Sequence, residues 1–138
     1  MKLWLAPLHG ITYYYFRNTF LRHFSGIDAI ITPFVPIQET NKLNVGKWLD
    51  FHSENNPFCD IIPQLMGNIP AHFTDTIRAL QDRYGFTQFN WNIGCPMNAI
   101  VRKQRGCGIM PFPDKIEAVV EEVFSKTNCK FSLKMRLG

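Results

Sequence analysis

At 138 residues, with 46% hydrophobic and 19% charged, the chain is long enough to bury one core and too apolar for an intrinsically disordered segment. It has no uncharged apolar run of about 18 residues to span a bilayer and no signal-peptide architecture at its start, so a soluble cytoplasmic protein is expected. Four widely spaced cysteines, with no Cys-x-x-Cys pair and no His partner at finger spacing, indicate neither zinc nor a disulfide framework, while a net charge of +4 fits an acidic partner or ordinary solubility charge.

Residues 2–7 form a short apolar run ended by Pro7 and Gly10, the pattern of a buried parallel strand. Thr12 is placed to cap a helix in which Phe16, Phe20 and Phe24 recur every fourth residue, with Leu21 widening the apolar face and Gly26 marking the exit. A second strand is expected over 27–32, closed by Pro33. The mixed stretch 34–56 reads as a long loop with room for a short helix, and loops of such length usually serve a site. Residues 59–66 make a third strand. A helix opens near Pro70, carries Phe73, Ile77, Leu80 and Tyr84 on one face, and stops at Gly85. Residues 86–92 follow as a fourth strand. Pro113 opens the clearest helix, with Ile116, Val119, Val120, Val123 and Phe124 on one stripe, and residues 131–135 give a fifth strand.

Strands alternating with helices imply right-handed βαβ crossovers and a parallel sheet, either open and doubly wound or part of an eight-stranded barrel. Five strands point to an unfinished TIM-type (β/α)8 barrel, a partial barrel in one structural unit. A chain that stops at Gly138, straight after a strand that needs covering on both faces, reads as truncated. Exposed strand edges then predict self-association of this segment.

The segment Asn90-Trp91-Asn92-Ile93-Gly94-Cys95-Pro96 places a thiol just beyond the carboxyl end of a strand, where parallel α/β folds build their sites. Cys95 is therefore a candidate actor, against the alternative of a small buried hydrophobe. Gln64 and Asn92 lie near strand ends, where an amide can both donate and accept. Lys134 and Arg136 alternate along the fifth strand and should point the same way, toward an anionic partner or toward water at a sheet edge. Cys107, in Gly106-Cys107-Gly108 behind Arg102, Lys103 and Arg105, reads as part of a solvated loop, and that glycine pair lacks the third glycine of a dinucleotide fingerprint. His9 stands at the right end for a ligand contact, Cys59 and Cys129 read as packing residues, and Tyr13, Tyr14 and Tyr15 as helix packing.

Taken in order, Leu5-Ala6-Pro7 with Gly10 and Phe16-Arg17, Gln64-Leu65-x-Gly67, Asn92-x-Gly94-Cys95-Pro96, Gly106-x-Gly108 and Lys134-Met135-Arg136-Leu137-Gly138 resemble the tRNA-dihydrouridine synthase family across essentially the whole chain. The resemblance implies a TIM-type barrel with FMN at its carboxyl end, NADPH or NADH as reductant, and a tRNA partner engaged partly by a helical domain beyond these residues. It further implies that Pro7, Gln64 and Lys134 contact the flavin and that Asn92, Cys95 and Arg136 face the uridine. The implied chemistry is hydride transfer from flavin N5 to uracil C6 with a proton from Cys95 to C5, and a thiol, ordinarily protonated at neutral pH, suits that role. Tyr13 stands where an Asp is common in the family, Pro33 and Asn90 stand where acids are common, and Cys107 replaces a small Ala or Ser. Other readings are a flavin barrel acting on a small molecule and an inactive fragment of the enzyme. With no later phosphate-gripping loops, the segment is expected to bind FMN poorly.

Overall fold

The computed structural model describes residues 2–37 and 49–137. Its strands are β1 (Trp4–Leu5), β2 (Ala29–Ile31), β3 (Val35–Pro36), β4 (Ile61–Ile62), β5 (Gln64–Met66), β6 (Gln88–Asn92) and β7 (Lys130–Lys134). All pair in parallel, in the orders β1-β2-β4 and β3-β5-β6-β7, which gives an α/β architecture with parallel sheets in chain order, consistent with part of a barrel.

The third expected strand is broken at Pro63 into β4 and β5, and the second ends before Pro33 as expected but is followed by a further strand segment, β3. Pro63 has no N–H to continue the ladder. Across the break the Thr32 hydroxyl accepts the Gln64 backbone N–H at 3.2 Å, and the Thr32 N–H reaches the Ile62 carbonyl at 3.0 Å. The register passes from Ile31↔Ile62 to Val35↔Leu65, so the second strand carries one extra residue, as in a bulge.

Among the described residues, three longer helices flank the strands: α1 (Tyr14–His23), α2 (Pro70–Tyr84) and α4 (Pro113–Lys126), with one turn, α3 (Asn98–Val101), after β6. Pro70 and Pro113 open α2 and α4, and Gly85 at φ 73° ends α2 in the left-handed conformation that glycine tolerates. Strand alternation sends Leu65, Phe89, Trp91 and Phe131 outward, where they meet Phe73, Ile77 and Leu80 of α2 and Val119 and Val123 of α4. Phe73 packs edge-on to Trp91 at 5.0 Å. Phe124, expected in the α4 stripe, is 57% exposed; its place at the margin of the stripe carries it past the contact with α2.

Around α1 the expectations need correcting. Thr12 does not cap the helix; its hydroxyl accepts the Leu8 N–H and donates to the Leu8 carbonyl, and the Tyr14 N–H is held instead by Asp50 Oδ1 at 2.7 Å. The fully buried residue of α1 is Arg17, while Phe16, Phe20 and Phe24 stack on one another along the surface. Within the stretch expected as a loop, Val35–Pro36 is a strand and Ser53–Asn55 a 3-10 turn; positions 38–48 lie outside the described residues.

Candidate functional site

The inner face of the strands changes character along its length. Ala29, Ile31 and Ile62 form a small apolar cluster low on that face. Above it, toward the carboxyl ends, alternation places Gln64, Asn90, Asn92 and Ser132, with Gln64 opposite Asn90 and Asn90 opposite Ser132 in register. Four polar side chains at the centre of a sheet need partners. They find them in each other: Asn90 Nδ2 donates to Ser132 Oγ at 2.9 Å, Gln64 Nε2 to Asn90 Oδ1 at 2.6 Å, and Asn92 Nδ2 to Gln64 Oε1 at 2.9 Å. Among the described residues, no buried side-chain nitrogen or oxygen lacks a partner.

The chain of amides ends on the Cys95 loop. Asn92 Oδ1 accepts the backbone N–H groups of Gly94 and Cys95 at 3.1 and 3.0 Å, so one side chain holds the turn that presents the thiol. Cys95 is half-buried. Its carbonyl accepts the Cys107 N–H at 3.0 Å, which makes Cys107 part of a 3-10 turn (Gly106–Ile109) docked on the loop rather than of a solvated loop. That docking requires glycine: a Cβ on Gly106, at φ +57°, would sit 2.5 Å from the Cys95 carbonyl oxygen. Gly94 lies against β7, where a Cβ would meet the Met135 carbonyl carbon at 3.2 Å.

Lys134 pairs in register with Asn92 and shares its inner face. It is half-buried, its carbonyl accepts the Ile93 N–H at 3.0 Å, and its ammonium has no hydrogen bond or ion pair with another described residue. Arg136 lies past the end of β7, not on it, and its Nε donates to the Gly94 carbonyl at 2.8 Å. The expected pair of parallel cations is thus one ammonium beside the amides and one guanidinium tied to the Cys95 loop. Pro7 is half-buried beyond the carboxyl end of β1, and His9, at the same end, stacks on Phe34 at 4.6 Å. A cavity of about 640 Å³ opens at the opposite, amino ends of the strands, between Lys2, Asp28, Asp60 and Thr87. It contains none of the residues that converge on Cys95, and the convergent polar groups identify the site better than volume does.

The chain matches the family described as Dihydrouridine synthase (Dus) over residues 4–138. It belongs to the dihydrouridine synthase family. It is 26% identical over 134 residues to the tRNA-dihydrouridine(20/20a) synthase of Synechocystis sp., covering 97% of this chain and 39% of that protein. To the tRNA-dihydrouridine synthase B of Vibrio vulnificus it is 26% identical over 139 residues, 99% of this chain and 41% of the relative. The chain therefore spans about two fifths of the length of these curated relatives.

In this chain of the dihydrouridine synthase family, Gln64, Asn92, Cys95 and Arg136 converge through hydrogen bonds, Lys134 joins them by register, and Pro7 stands apart on the neighbouring ladder. Sequence reasoning missed Ser132 and gave Asn90 no role of its own. The signal for both was period-two alternation, which puts 90, 92, 132 and 134 on one face. Arg17 was also missed. All of its N–H groups are used: Nε and Nη2 on Asn56 Oδ1, Nη1 on the Thr12 carbonyl and Asp50 Oδ2, and Nη2 again on the Asp50 carbonyl. It is a clamp between α1 and residues 50–56, away from the thiol.

The donor set fits a flavin. An ammonium with no hydrogen-bonding partner among the described residues suits an electron-rich ring edge, and it stands next to amides that are themselves held rigid. Among the described residues there is no cluster of three or more His, Cys, Asp or Glu to hold a metal, and no helix long and apolar enough to cross a membrane.

Proposed function

We propose that the chain carries the flavin- and uridine-facing part of an enzyme that reduces uridine to dihydrouridine in tRNA, with FMN as cofactor and NADPH or NADH as reductant, in the cytoplasm. The observation that carries this reading is the hydrogen-bonded series from Ser132 to Asn92 that holds the Cys95 loop at the carboxyl end of the parallel strands. Pro7, Gln64 and Lys134 would hold FMN, which when bound supplies the hydride chemistry that no side chain can. The protein's part is positional and acid–base. Cys95 gives a proton to C5 of the uracil ring, while Asn92 and Arg136 orient the nucleotide, the guanidinium being anchored through Nε so that its terminal nitrogens stay available.

Residues 1–138 read as the first five strand positions of an eight-stranded barrel. Among the described residues β1 and β7 each pair on one side only, so a polypeptide of this length is expected to self-associate; sedimentation of a compact, flavin-loaded monomer would contradict that. The function is tested by measuring dihydrouridine in unmodified tRNA after incubation with a longer polypeptide that contains these residues, FMN and NADPH, beside its Cys95→Ala variant. Product from wild type and little from the variant supports the assignment. Flavin turnover on a small enone or orotate analogue without tRNA product favours a small-molecule reductase instead.

A further inference from the structure

The inner-face hydrogen bonds run in one direction, and both ends are fixed by backbone. At one end the Gly94 and Cys95 N–H groups can only donate, so the atom they meet must be Asn92 Oδ1. Asn92 Nδ2 then has to face an acceptor, Gln64 Oε1; Gln64 Nε2 has to face Asn90 Oδ1; and Asn90 Nδ2 has to face Ser132 Oγ. At the other end Ser132 Oγ donates to the Phe89 carbonyl at 3.2 Å, which can only accept. No amide in the series can flip without setting donor against donor or acceptor against acceptor.

We infer that Asn90 and Ser132 are positioning residues that fix the direction of this series, and so hold the Cys95 loop and leave Asn92 able only to donate toward a ligand. Asn92 Oδ1 already takes two backbone N–H groups, so what remains is one N–H on Nδ2. Facing position 4 of the pyrimidine ring, that donor matches the carbonyl of uracil and not the exocyclic amine of cytosine, whereas the position-2 carbonyl is common to both bases. The uracil preference rests on the function proposed above; the positioning of the loop does not, because it can be read without substrate.

The first test is amide hydrogen exchange in the protein with no nucleic acid present. Ser132→Ala and Asn90→Leu should each speed exchange at Gly94 and Cys95 by roughly tenfold, the factor expected for losing one hydrogen bond of ordinary net strength, with α2 unchanged. Ser132→Thr keeps the hydroxyl and should exchange at the wild-type rate. Asn90→Asp should do the same, since Asp still accepts from Gln64 while the Ser132 hydroxyl turns to its second oxygen. Equal acceleration in α2, or no change at Gly94 and Cys95, overturns the positioning role. The second test compares binding of short oligouridine and oligocytidine strands. Wild type should prefer uridine by about tenfold, because a site built around a hydrogen bond rejects the ligand that cannot make it, and Asn90→Leu should lose most of that preference. No preference in wild type overturns the assignment of this donor to position 4 even where tRNA reduction succeeds, and a preference without reduction overturns the catalytic reading alone.

Discussion

The outer surface of this chain is built in two ways. Beside β5, β6 and β7 the helices α2 and α4 bury a continuous apolar layer that includes Phe73, Ile77, Leu80, Trp91, Val119 and Val123. At α1 the arrangement is inverted, with a cation inside and phenylalanines outside. There the contact rests on the Arg17–Asp50 ion pair, 3.0 Å long with side chains 1% and 6% exposed, and on the carbonyls and the Asn56 amide that complete it. The first surface tolerates changes of shape that conserve volume; the second depends on every donor finding its acceptor, and half of such a pair is worse than none.

The sharpest way to expose the difference is to damage each side once. Trp91→Ala empties the middle of the apolar layer and should cost about 4 kcal/mol in denaturant unfolding, with much of the loss recoverable by another large apolar residue. Arg17→Met keeps the volume but strands the Asp50 carboxylate, and should cost about 3 kcal/mol. Asp50→Asn added to Arg17→Met should recover part of that, which no apolar refilling could do; strict additivity of the two would break the comparison. Phe24→Ser, which removes an exposed side chain at the residue just past α1, should shift stability by no more than about 0.5 kcal/mol. The smallest effect is with pH. Burial raises the Cys129 thiol, burial with Asp60 and Asp28 nearby raises Cys59, and burial raises the Tyr84 phenol. A group whose folded value lies above its unfolded one contributes stability below the unfolded value and loses it as pH rises through the folded one. Unfolding free energy should therefore decline as pH climbs past the ordinary thiol value of 9.0, with the tyrosine adding to the decline beyond 10.0.

The same contrast explains what was legible in the sequence. Where burial of apolar surface organises the fold, periodicity reads it: α2 begins at Pro70 and ends before Gly85, and α4 begins at Pro113, as expected. At α1 the four-residue recurrence of phenylalanine is real, but the buried residue is set by Asp50 and Asn56, more than thirty positions away, and no local pattern carries that. The site was legible in part for a similar reason. Gln64, Asn92 and Cys95 announce themselves as polar or reactive groups near strand ends, whereas Ser132 acquires a role only through its register with Asn90. Arg136 was placed on the strand by alternation, yet the strand ends at Lys134 and the guanidinium turns to Gly94.

The extra residue in the second strand bears on which sequence lengths this corner can tolerate. Ile30 and Val35 differ in parity, yet both align with residues of the third strand, Ile61 and Leu65, that face the same way. Removing any one of positions 32–34 would leave three steps from Ile31 to Val35, matching the three from Ile62 to Leu65, so simple alternation would return with Val35 and Ile37 still in the outer layer. A single-codon deletion would therefore remove the bulge and leave the two sides of everything downstream to Ile37 in place, whereas a single-codon insertion would leave two residues for the bulge to absorb. In this stretch the partner strand sets the register, and the bulge takes up the one-residue difference in length.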